Sequence, residues 1–266
     1  MKSKKELELE KTIISKLDGK CLETAKLIFQ DKEVEYLMNY SNNVSIKRLG
    51  FNDHGPVHMK RACLNSLLMF DLLQNAGVKF NLENEGVGNV IDSKVAVIIA
   101  SLLHDIGMSV SRENHEIYSS IIGLNIINRI LEKIYQHEFE KQIIVRSMVI
   151  EGIIGHMATK IINSLEAGLV LIGDGCDMEK GRARITSMIQ RKPRVGDIHK
   201  YSASAIQTVS IKKGIKKPIK ITVLMRESVG FFQIEEVLFP KISSSPVKPY
   251  IELFAGVIGE ELLQYL

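Results

Sequence analysis

Between residues 5 and 40 the apolar positions Leu7, Ile13, Ile14, Leu17, Leu22, Ala25, Ile28 and Phe29 recur mostly at threes and fours among Glu and Lys. That is the spacing of helices with one buried stripe, and Asp18-Gly19 predicts a break into two of them. Residues 41–56 (SNNVSIKRLGFNDHGP) concentrate Asn, Gly and Pro and read as a loop. Pro56 suits the first turn of a third helix, and Asn75-Ala76-Gly77 marks its end. A polar stretch, NLENEGVGN, separates it from a fourth helix expected from about Ser93 and stopping at Gly107. The VAVIIASLL run of that helix is apolar on nearly all sides, which places it in the middle of the fold. Further helices are expected at about 113–136, 138–153 and 160–172. No proline stands between Pro56 and Pro193, as an all-α region requires.

The pattern changes near Pro193. ASAIQTVSIKK, KPIKITVLMR and PYIELFAGVI are rich in Ile, Val and Thr, alternate in part, and are separated by turn residues. Lys213-Gly214 and Lys217-Pro218 predict a hairpin turn, and SVGFFQIEEVLFP (228–240) a short helix between strands. The expected fold class is α+β: an all-α helical bundle over 1–192, then a small α/β module of about three strands over 193–266.

Composition narrows the classes. With 266 residues, 45% hydrophobic and 25% charged, the chain can build a core and is not disordered. The net charge of +4 is too mild to mark a nucleic-acid binder by itself. Residues 190–266 nevertheless hold 12 Lys/Arg against 7 Asp/Glu. RKPR and IKKGIKKPIK therefore leave RNA or another polyanion open as a partner, beside the plainer reading of a solvated hairpin. Cys21, Cys63 and Cys176 are too few and scattered for a disulfide framework or a cysteine-based zinc site. MKSKKELELEK lacks the apolar segment of a signal peptide, and no apolar run approaches the roughly 20 residues that span a bilayer. A cytoplasmic protein with no membrane partner is expected.

The chemistry lies in the seven histidines. His54 and His58 sit in NDHGPVHMKRA, His104 and Asp105 in SLLHDIGM, His115 in SRENHEIYSS and His156 in EGIIGHMATK. Asp174 and Asp177 sit in LIGDGCDMEKGRAR. Any one histidine reads most simply as a cap or surface residue. His104-Asp105 differs, because it ends an apolar helix where an unpartnered carboxylate beside an imidazole costs several kcal/mol. Asp174 repeats the situation after GLVLIG. A shared cation removes both costs, since neutral imidazole and carboxylate are ligands for first-row metals.

In that order, His58, His104-Asp105 and Asp174 on an all-α scaffold resemble the H…HD…D signature of the HD-domain superfamily of metal-dependent phosphohydrolases. LLHDIGM is especially typical, and the resemblance covers about residues 45–190. The whole chain resembles archaeal stand-alone HD proteins. It lacks the GYP motif of the cyclic-dinucleotide enzymes, so their substrate is not carried over. The resemblance implies His58, His104, Asp105 and Asp174 as ligands of one ion, and His115 and His156 as ligands of a second bridged by Asp105. His54 is a further ligand or a phosphate contact. Asp177 is an N-cap or an acceptor for a ligand histidine. Lys180, Arg182 and Arg184 would neutralise substrate phosphate, with Lys60 and Arg61 as weaker candidates; a solvated helix face is the alternative.

The implied function is a phosphohydrolase or phosphodiesterase that uses one or two divalent ions (Mn, Fe, Co, Ni or Mg) to activate water against a nucleotide or related phosphate ester. A di-iron oxygenase on the same fold, and a non-catalytic module binding RNA or another polyanion, are the alternatives. The tail also fits a homodimer contact or a regulatory domain.

Overall fold

Ser3 caps the first helix of the chain, accepting from the Glu6 amide while the Glu6 carboxylate takes the Ser3 amide. In the computed structural model, which describes residues 2–179 and 197–266, this helix, α1, spans Lys4–Ile14. It is followed by α2 (Gly19–Gln30) and α3 (Lys32–Asn43). The break at Asp18-Gly19 stands where the sequence places it. A second break at Asp31 was not expected: its side chain caps α3 by accepting from the Val34 amide, so there are three helices here.

The predicted loop 41–56 is shorter than its composition suggests. Asn42 and Asn43 complete α3, and a π-helical turn, Val44–Arg48, extends it. Then come α4 (Pro56–Asn75, with Pro56 in its first turn), the single turn α5 (Asn81–Asn84), and α6 (Val90–Leu103). The last starts three residues before Ser93 because Asn89 and Asp92 cap each other. It ends at Leu103, and a 3₁₀ turn, Ile106–Ser109, carries the chain through Gly107. Three more helices follow: α7 (His115–Tyr135), α8 (Phe139–Gly155) and α9 (Leu165–Gly175). The last begins later than residue 160, at the cap supplied by Ser164.

Beyond residue 196 come α10 (Asp197–Ala205), β1 (Ile206–Lys213) and β2 (Ile219–Met225). A chain of short turns follows, comprising 3₁₀ Ser228–Gly230, α11 (Phe231–Gln233), a π-helical turn Ile234–Leu238 and α12 (Phe239–Ser243). The chain closes with β3 (Ile251–Val257) and β4 (Leu263–Gln264). The sheet order is β1-β2-β3-β4, one strand more than expected. Strands β1 and β2 form the predicted hairpin, β2 and β3 run parallel, and β4 returns antiparallel. The parallel pair needs a crossover, and that crossover is the 228–243 segment.

Residues 95–103 of α6 are buried throughout, at the centre of the bundle. One face of β2 (Ile219, Ile221, Val223 and Met225) is buried too, and the apolar core runs without a break from the helices into the sheet. The helix-to-module boundary at 192/193 lies outside the described residues. Among the described residues no helix is long and apolar enough to cross a membrane.

Helix α9 is the hinge of this packing, and its glycines show why. A Cβ at Gly173 would stand 2.1 Å from Ser66 Oγ, so α4 lies directly on that face. Gly168 and Gly175, seven apart and hence on one face, meet Ser245, Val247 and Lys241 instead. The bundle and the C-terminal crossover therefore both press on the helix that carries Asp174.

Candidate metal centre

Each candidate side chain enters the centre from the end of a helix. His58 lies in the first turn of α4 behind Pro56. His104 and Asp105 follow α6, His115 opens α7, His156 follows α8, and Asp174 stands near the end of α9. These ends meet because the HD turn is pressed against α7. A Cβ at Gly107 would lie 2.1 Å from the His115 carbonyl oxygen, and Ser119 Oγ accepts from the Gly107 amide while donating to the His104 carbonyl. Asn114, at φ 56°, turns the chain into α7.

The four histidines and Asp105 are at most 2% exposed, and Asp174 is 5% exposed. They form two groups that share Asp105. In the first, His58 Nε2 lies 3.1 Å from Asp174 Oδ1, 3.2 Å from Asp105 Oδ2 and 3.2 Å from His104 Nε2. In the second, His115 Nε2 lies 3.1 Å from Asp105 Oδ1 and 3.0 Å from His156 Nε2, and His156 Nε2 is 3.4 Å from the same oxygen. The two oxygens of one carboxylate thus face two separate histidine pairs.

The outer ring nitrogens fix the state of the inner ones. Nδ1 of His104, His115 and His156 lies 2.8, 2.8 and 2.6 Å from the carbonyl oxygens of Ser101, Arg112 and Ile153. A carbonyl only accepts, so these Nδ1 atoms carry the proton and Nε2 carries the lone pair. His58 Nδ1 lies 2.7 Å from Asp177 Oδ2, and an ionised carboxylate imposes the same tautomer. Four lone pairs therefore converge in two facing pairs. Facing lone pairs repel; a cation makes both of them ligands. Two ligands about 2.1 Å from one ion lie about 3.0 Å apart at a right angle, the spacing found within each pair. Among the described residues, the buried sets whose ligand atoms are close enough together to hold one ion are His58–His104–Asp174 and His104–Asp105–His156, so His104 is common to both and adjoins the second pair as well as the first.

Burial alone would raise the Asp105 carboxyl, but His104, His115 and His156 outweigh it and hold the group well below the usual carboxylate range. Asp174 behaves alike: burial opposes ionisation, and Lys241, His104 and His58 overcome it. Burial pushes His156 down to about 4, so its ring is neutral and ligand-competent.

His54 stands beside these groups. Its Nδ1 lies 2.7 Å from the Asn52 carbonyl and 2.9 Å from Ser45 Oγ, and its ring packs edge-on to His58. With Asp105, His156 and Asp174 it lines a cleft of about 270 Å³, to which Arg112, Glu236 and Lys241 also contribute. Lys60 is not there. It points to α1, where it pairs with Glu6 at 3.1 Å and Glu10 at 2.7 Å, because the side chain two positions past His58 lies on another helix face. Lys180, Arg182 and Arg184 lie outside the described residues.

Two basic cleft residues have no counterpart in the sequence reading. Arg112 sits in the turn before α7. Lys241, from α12, is buried, donates to the His156 carbonyl at 2.7 Å and contacts Asp174 Oδ2. The one sequence signal for it is indirect: the glycines of LEAGLVLIGDG open a face of α9 to another element, without saying which.

The uncharacterized protein MJ1020 of Methanocaldococcus jannaschii is similar to this chain, 36% identical over 234 residues that cover 88% of each. No protein-family model and no solved structure matches the chain.

Proposed function

The chain belongs to the same family as the archaeal protein MJ1020, and from its buried centre we propose that it is a metal-dependent phosphohydrolase of the HD superfamily, acting on a nucleotide or related phosphate ester. The observation that carries this reading is the Asp105 carboxylate, set between two pairs of histidine Nε2 atoms and lining a cleft. His58, His104, Asp105 and Asp174 would hold one ion; His115, His156 and Asp105 a second. Bound divalent ions supply Lewis acidity and lower the pKa of water to about 7.

The chain's own residues set the geometry for that chemistry. The Ser101, Arg112 and Ile153 carbonyls and Asp177 keep every inner nitrogen unprotonated. Asp105 faces both groups, so a phosphate spanning them meets a fixed arrangement rather than a flexible one. His54 lines the same cleft and would be a phosphate contact there. Lys180, Arg182 and Arg184, which follow α9 in the sequence, remain candidates for neutralising the substrate.

The test is phosphate release from a panel of nucleotides by protein loaded in turn with Mn, Co, Ni and Fe. Release that needs the metal, and that D105N abolishes in a folded protein, is the expected result. A chain that holds two ions and releases phosphate from nothing overturns the reading, and oxygen consumption by the iron form would then identify an oxygenase.

A further inference from the structure

Lys241 contacts an acidic member of the centre, Asp174. It does not belong to the bundle: the β2–β3 crossover delivers it, 67 positions from Asp174. Its placement is built into both partners. Pro240 opens the turn in which it lies, and Gly175 leaves room for its stem, since a Cβ there would stand 3.0 Å from Lys241 Cδ. Carrying a buried cation across the fold in this way is costly unless every polar contact is used.

An ammonium has three N–H donors. One contacts Asp174 Oδ2 and one donates to the His156 carbonyl. The same side chain lines the cleft beside Asp105 and His156. Asp174 has its other oxygen 3.1 Å from His58 Nε2, so Lys241 occupies the outer oxygen and leaves the inner one to the centre.

Resting on the phosphohydrolase reading, we propose that Lys241 is a substrate contact: its third N–H takes a non-bridging oxygen of the phosphate ester. The C-terminal module would then complete the active site rather than merely follow it. A phosphate monoester, with two charged oxygens to share between ions and ammonium, is the ligand class this arrangement fits best.

The probe is inorganic phosphate, titrated calorimetrically into the full-length chain loaded with Mn, with bound metal measured in parallel. In K241M the metal content should equal that of the unaltered chain while phosphate affinity falls roughly ten- to a hundredfold. K241R, which keeps the charge, should recover most of it. Unchanged phosphate affinity in metal-loaded K241M overturns the proposal. So does loss of metal together with phosphate, which would make Lys241 a support for Asp174 alone. An unaltered chain that binds phosphate through Lys241 yet hydrolyses no ester would sink the phosphohydrolase reading and leave the contact standing.

Discussion

His58 Nδ1 and Asp177 Oδ2 lie 2.7 Å apart, although 119 positions separate the two residues in the chain. The contact joins the first turn of α4 to the segment just past α9 and presents His58 Nε2 to the centre as a lone pair. An outer acceptor of this kind orients a ligand histidine and raises its basicity. Asp177→Asn keeps an oxygen but loses the charge that fixes the tautomer. Affinity for the ion beside His58 should fall roughly 10- to 100-fold, with the His115–His156 group unaffected. Titration of the metal-free chain with Mn, followed calorimetrically, separates the two: one step weakens and the other does not.

Removing metal should destabilise the fold. In the metal-free chain the facing Nε2 atoms, 3.2 and 3.0 Å apart, have no cation between them. A ligand at 100 times its Kd stabilises the folded state by about 2.7 kcal/mol. Each kcal/mol moves the midpoint of a domain of this size by roughly 2–4 °C. Thermal unfolding with a chelator should therefore occur several degrees lower than with Mn, and D105N should abolish the difference. Equal midpoints would mean that these residues bind no ion in the folded chain.

Acid should weaken the metal-free fold in two steps. His156 is held at about 4 against an ordinary 6.5, so the unfolded chain takes up a proton that the folded one refuses. Stability is then full above about pH 6.5 and declines towards pH 4. Asp105 and Asp174 are held well below 3.8, and their contribution is present above that pH and lost beneath it. Denaturant midpoints measured from pH 7 to 3 should trace both declines. H156Q, which cannot take the proton, should flatten the upper one.

How much of this could be read from residues alone varies with the range of the interaction. The helix ends at Asp18-Gly19 and Pro56 follow from local backbone chemistry, and they fall where the sequence puts them. The start of α3 is local too, but Asp31 reads as a helix-interior residue until its cap to Val34 is seen. Asn42 and Asn43 look like loop residues and are helical, because tertiary packing overrides weak propensity. His104, Asp105 and Asp174 are legible because burying them at the ends of apolar helices demands a partner, whereas His58, His115 and His156 are named through the family resemblance. Lys241 is legible in neither way. Nothing near PKI in the sequence marks a buried lysine, and its partner lies in another element.

Gly107 and Gly173 hold the two halves of the centre separately, and alanine at each should break a different half. At Gly173 a Cβ would stand 2.1 Å from Ser66 Oγ and 2.9 Å from the Ala62 carbonyl. Ala62 and Ser66 continue the face of α4 that begins with His58, so separating α4 from α9 draws His58 away from Asp174. At Gly107 a Cβ would stand 2.1 Å from the His115 carbonyl and 2.4 Å from the Ser119 amide, forcing α7 and His115 away from Asp105. Both changes overpack backbone that cannot turn aside, which costs roughly 1–3 kcal/mol. Gly123 supplies the control: it too is buried in a helix, but its nearest atom is a side-chain methyl at 3.5 Å. G123A should be tolerated and keep both ions. G173A should lose the ion beside His58, and G107A the ion beside His115, each with a lowered unfolding midpoint. Metal stoichiometry measured on the three folded variants decides the matter. If G107A and G173A lose the same ion, the division of the centre at Asp105 is wrong.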